Sequence, residues 1–188
     1  MNTTNFTRSI CLLCILFLVS CSDNDLIKRM EQIKMYGNEN PEKALVMLDS
    51  LEIEVRSAGD YAKHKYDLLR VRLNDKAYHV PNSDIMIKEL MAYFEEEGSI
   101  PDKQEVYYYA GSTYRDLQDT PRALEYFFKS LDFAIDHEEC DPIMLRNTYS
   151  NLHYLFYMVQ DYSNAAKMGV KELESCRQGQ MSCCHLII

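Results

Sequence analysis

The sequence predicts an all-α protein, and three observations carry that expectation. Only 6 Gly and 5 Pro are spread over 188 residues, too few turn formers for a many-stranded β architecture. The prolines, Pro41, Pro81, Pro101, Pro121 and Pro142, fall at multiples of about 20 residues, and Gly59-Asp60 fills the gap near position 61. Each beat is one helix and its turn. Between the beats the apolar residues keep a helical period. Ala123, Phe127, Ser130, Leu131, Ala134 and Ile135 fall at i, i+4, i+7, i+8, i+11 and i+12, which is one face of one helix.

Taken in order, the predicted helices cover 24–36, 41–57, 60–78, 82–97, 102–117, 121–138, 142–158 and 162–176. Asn40-Pro41, Thr120-Pro121 and Asp141-Pro142 pair a capping residue with proline at the first helical position, where the missing amide would be unpaired anyway. Gly59-Asp60 opens the third helix, and Pro81 and Pro101 precede the fourth and fifth. Tyr149 to Val159 is apolar enough for a strand, but Leu152, Leu155 and Phe156 are in helical register. Eight helices of similar length make four hairpins. Residues 177–188 are expected as an incomplete helix or truncated tail, because they finish in apolar residues where a terminal repeat needs a polar face.

The chain is 47% hydrophobic and 26% charged, an ordinary globular composition for one domain. Its formal charge is −9, with no Lys/Arg block. Nucleic acid, bound through neutralised phosphates, is therefore not an expected partner.

Residues 1–20 read as a signal peptide. They hold one Arg, no acid and an apolar run, Ile10 to Val19, too short to span a bilayer. Leu18-Val19-Ser20-Cys21 resembles the bacterial lipobox, which implies lipidation at Cys21, a short tether over 21–24 and an outer-membrane lipoprotein facing the periplasm or the cell surface. Two or three acyl chains would then hold the domain stably at the membrane. Of the 7 Cys, Cys140, Cys176, Cys183 and Cys184 remain for the folded part. Their even number permits disulfides, but their spacing defines no framework.

Self-similarity organises the rest. Tyr107, Ala110, Gly111, Tyr114, Ala123, Phe127 and Ser130 match, at offsets 0, 3, 4, 7, 16, 20 and 23, the pattern of the tetratricopeptide repeat (TPR). Small residues at 111 and 123 let two antiparallel helices approach, and the aromatics fill the space between hairpins. The next unit, Tyr149, Leu152, His153, Phe156, Ala165 and Gly169, departs at His153, where a small residue is expected, and at Gly169, where an aromatic is. Pro41 to Leu48 resembles a second helix, and Tyr66, Leu69, Leu73 and Ala77 a first. The resemblance covers 25–176 and is similar to the N-terminal part of TPR lipoproteins and TPR-containing regulators of Bacteroidetes-type bacteria. It implies a TPR-like α-solenoid of about four hairpins that binds a protein or peptide in its concave face. The family's inner-face positions correspond to Tyr108, Ser112, Arg115, Ser150, Asn151, Tyr154 and Tyr157, with His64, Asp67 and Asn74 from an earlier unit.

Two other functions compete with this reading. One is a sensory fragment of a longer signalling regulator, and the other a glycan-capture lipoprotein, for which the absence of Trp is unfavourable. No catalytic activity, metal or cofactor is expected. Cys183-Cys184-His185 lacks the spacing that brings two thiolates to one zinc. The five His form no helical metal pair, and no phosphate loop or serine elbow is present.

Overall fold

The computed structural model describes residues 23–135 and 137–184, with side chains through Arg177. The leader over 1–20 and Cys21 lie outside the described residues, as do His185 and the side chains of Cys183 and Cys184. Among the described residues there are nine helices and no strand. They are α1 over 23–36, α2 (Pro41–Asp49), α3 (Glu52–Ser57), α4 (Asp60–Lys76), α5 (Ile85–Glu97), α6 (Ile100–Asp116), α7 (Thr120–Ala134), α8 (Pro142–Met158) and α9 (Tyr162–Cys184). The chain divides after His79 into two compact units, so α4 and α5, expected as one hairpin, belong to different units.

In the first unit the single helix predicted over 41–57 is in fact two. At Leu51 the amide bonds back to Leu48 O, 3.0 Å, instead of a full turn, while the Ser50 hydroxyl donates to Met47 O at 2.6 Å. A serine hydroxyl that competes for a helix carbonyl loosens the ladder there. The apolar stripe survives the break, because Ala44, Leu48, Leu51 and Val55 all stay buried with Leu26, Met30 and Ile33 of α1 and Tyr66, Leu69 and Leu73 of α4. Gly37 ends α1 where a Cβ would sit 2.3 Å from the Leu73 side chain, so the close approach to α4 needs glycine.

In the second unit α6 is central, with α5, α7 and α8 all packed on it, and α8 in turn packs on α7 and α9. It is buried from Gln104 to Tyr114. Three-residue turns between helices of similar length make α6–α7 and α8–α9 antiparallel hairpins. Capping chemistry sets the starts. Ser99 and Asp102 form a reciprocal capping box on α6, Asp119 accepts from Arg122 N at 3.1 Å, Asp141 accepts from Ile143 N at 2.8 Å, and Asp161 from Asn164 N at 3.1 Å. The cap of α7 is thus Asp119, one residue before the predicted Thr120, and Asn40 makes no side-chain cap bond.

The helix ends repeat. α4, α6 and α8 each have 17 residues and each is followed by one non-glycine residue in the left-handed region, Tyr78 (φ 59°), Gln118 (φ 62°) and Gln160 (φ 63°). The residue after each donates its amide five residues back, His79 to Asn74 O, Asp119 to Tyr114 O and Asp161 to Phe156 O, the bond of a Schellman turn. The hairpins also share a close contact with its bulk exchanged. A Cβ on Gly111 would lie 2.6 Å from the Phe127 ring, and a Cβ on Gly169 3.1 Å from His153 Nδ1. His153 therefore fits because Gly169 replaces the aromatic.

Candidate binding face on α6 and α8

Of the inner-face residues expected on α6 and α8, Tyr108, Arg115 and Asn151 are brought together. Arg115 of α6 donates through Nη1 to Asn151 Oδ1 of α8 at 2.6 Å and through Nε to Asp116 at 2.8 Å. The Asn151 amide donates to Asn147 O, one turn back, at 2.9 Å, and to the Tyr108 hydroxyl at 3.5 Å. One cation, one side-chain amide and a phenol are thereby joined across two helices. Asp116 offsets the guanidinium charge, so the cluster presents hydrogen-bonding groups with little net charge.

Exposure divides the residues sharply. Ser112 is 1% and Tyr108 8% exposed, Arg115, Ser150 and Asn151 are half-buried, and Tyr154 and Tyr157 stand 50% and 57% exposed. Tyr108 meets the rings of Tyr109 and Phe127 edge-on, at 4.9 and 5.7 Å, and belongs to the packing as much as to the face. Among the described residues the buried Ser112 hydroxyl has no hydrogen-bond partner. Tyr157 packs edge-on to Tyr162 at 5.7 Å, which makes Tyr162 part of the same aromatic surface. His64, Asp67 and Asn74 lie on α4, in the other unit. His64 donates to Asp60 O at 2.7 Å, and the Asn74 amide to Arg70 O at 3.0 Å.

Sequence reasoning missed Asp116, which orients Arg115, and Tyr162.

With the geometry in view, the chain can be set beside known proteins. No family model, no curated protein and no solved structure matches it.

The described residues hold no group of three or more His, Cys, Asp or Glu that could bind a metal ion. Cys140 and Cys176 are free thiols. Burial, with Glu139 and Asp141 nearby, pushes the Cys140 thiol up from its ordinary pKa, the opposite of an activated nucleophile. What the α6–α8 arrangement can do chemically is donate and accept hydrogen bonds beside aromatic surface. That suits an extended peptide or a partner side-chain cluster.

Proposed function

We propose that the chain is a non-catalytic, membrane-anchored interaction module of TPR-like helix hairpins, and that it holds a peptide or protein partner against the α6–α8 face. The observation that carries this reading is the cluster of Tyr108, Arg115 and Asn151, contributed by two successive first helices, with Tyr154 and Tyr157 exposed beside it. Tyrosine offers a large apolar face and one hydroxyl at low entropic cost, which is why it is enriched where proteins meet. The common 17-residue helices, the matching left-handed caps and the paired Gly111/Phe127 and His153/Gly169 contacts support a repeat array. The motif Leu18 to Cys21 supports an acylated anchor at the outer membrane.

Tyr154→Ala with Tyr157→Ala tests the face. Both side chains are half or more exposed, so helix content should stay unchanged while the partner captured from envelope membranes falls at least about tenfold. Tyr108→Ala is a poor probe, because it also empties a buried contact with Phe127. Undiminished capture by the double variant would remove the α6–α8 face as the binding surface.

A further inference from the structure

α9 carries more apolar surface than α8 covers. It meets α8 through Ala165, whose carbonyl accepts from His153, and through Gly169. A second stripe, Tyr162, Ala166, Val170 and Leu173, falls at i, i+4, i+8 and i+11 and points away. Tyr162, Val170 and Leu173 are 59%, 53% and 62% exposed, and Met158 and Val159 at the hairpin turn are also more than half exposed. One unit earlier the matching positions on α7 are Thr120, Leu124, Phe128 and Leu131. There Leu131 is buried, and Phe128 meets Phe156 of α8 with ring centroids 6.1 Å apart. On α7 the stripe is thus partly covered, with Leu131 buried and Phe128 still 39% exposed against Phe156, whereas on α9 Val170 and Leu173 at the matching positions are 53% and 62% exposed.

We propose that the covering helix is α9 of a second copy of this chain, the two α8–α9 hairpins forming an antiparallel four-helix bundle. Three observations select a second copy. The stripe is self-complementary, being an apolar helix face that needs an apolar helix face. The chain as a whole carries −9, yet from 142 to 177 Arg146, Lys167, Lys171 and Arg177 nearly balance Asp161, Glu172 and Glu174, so two copies repel little here. Along α9 the exposed Lys167 and Lys171 precede Glu174, which pairs with Lys171 of its own chain at 3.1 Å, and a two-fold axis reverses that order and brings Lys167 of one copy toward the Lys171–Glu174 pair of the other. A stable dimer interface buries ~800 Å² per partner around an apolar centre, and the exposed Met158, Val159, Tyr162, Val170 and Leu173 supply such a centre.

Sedimentation velocity of the purified full chain in mild detergent, from about 1 to 100 µM, tests this, with variants placed at Val170 and Leu173 because Tyr162 also borders the α6–α8 face. The expected result is a two-chain protein mass at the upper concentrations. Val170→Glu with Leu173→Glu should weaken the dimer about 30-fold or more, with helix content unchanged because both positions are exposed. Val46→Glu, on the exposed side of α2, should leave it intact. A one-chain mass at every concentration overturns the dimer, and so does a dimer indifferent to the double variant or equally sensitive to Val46→Glu. Should the double variant lose helicity, Leu173→Lys alone is read in the same way, and wild-type association by it is equally fatal.

Discussion

At residue 153 the chain places a histidine where the preceding hairpin has Gly111, and sixteen residues later a glycine where that hairpin has Phe127. The bulk has moved from one helix to the other while the helices stay close, and His153 adds a 2.8 Å hydrogen bond to Ala165 O. Gly169→Phe should therefore overpack the contact and cost about 1–3 kcal/mol, and adding His153→Gly should recover much of it; a double-mutant cycle in urea gives the coupling. The left-handed residues make a second residue-scale prediction. A non-glycine side chain there costs roughly 1–2 kcal/mol, against the extra freedom glycine gains when unfolded. Gln118→Gly and Gln160→Gly should each raise the free energy of unfolding, read from urea denaturation, by up to about 1 kcal/mol. Tyr114 supplies the third. Burial first, and then its hydrogen bond to Asp84 at 2.9 Å, push its pKa up to about 12. A raised pKa means a contribution fully present below the ordinary tyrosine value near 10 and lost as pH climbs toward 12. Alkaline destabilisation should be smaller in Tyr114→Phe than in the parent, measured by urea midpoints across that window.

Between elements, single side chains tie helices that are distant in sequence. The buried Gln104 amide of α6 donates to Asp141 O at 3.0 Å and accepts from Asp141 N at 2.8 Å, so α6 grips the residue that caps α8. Gln104→Leu keeps the volume but strands both backbone groups, and should cost about 2 kcal/mol by chemical denaturation. On the other side of α6 the rings of Phe133, Tyr107, Tyr126 and Tyr114 form a stacked series spaced 5.3 to 6.1 Å. Lys103 lies over Phe133, Lys129 over Tyr107 and Tyr126, and Arg122 over Tyr114, which holds α7 along α6. Carboxylates at the helix starts are held below their ordinary range: Asp84 by Lys88 and Tyr114, Asp119 by Arg122, and Asp161 by the Asn164 amide. Lowered values mean stability present above the ordinary carboxylate pKa and lost as pH falls through the folded ones. The urea midpoint should accordingly drop below about pH 4, with a shallower slope for Asp161→Asn.

For the whole molecule, the proposed anchor and the proposed dimer concern different ends of the chain and can be separated. Each buried CH₂ of an acyl chain contributes about 0.8 kcal/mol, and two or more chains hold a domain stably. Cys21→Ala should move the protein from the membrane to the soluble fraction while leaving its helix content unaltered; unchanged partitioning would reject the lipid anchor. The dimer, resting on α9, should survive that substitution.

Local signals were enough to establish an all-helical chain and most helix positions. Pro41, Pro101, Pro121 and Pro142 all lie in the first two positions of a helix, because proline punctuation acts within one turn. Gly111, Ala123 and Phe127 are all buried, with Gly111 against the Phe127 ring. Arg115 and Asn151 were named only through the resemblance, as inner-face positions; their hydrogen bond was not foreseen. Only tertiary structure decided the rest: the division after His79, the burial of Tyr108 and Ser112, the Gln104 grip on Asp141 and the rescue of His153 by Gly169. Periodicity reports what happens within a turn or two. A contact between residues sixteen or thirty-seven positions apart depends on which helix arrives alongside, and leaves no mark in the local pattern.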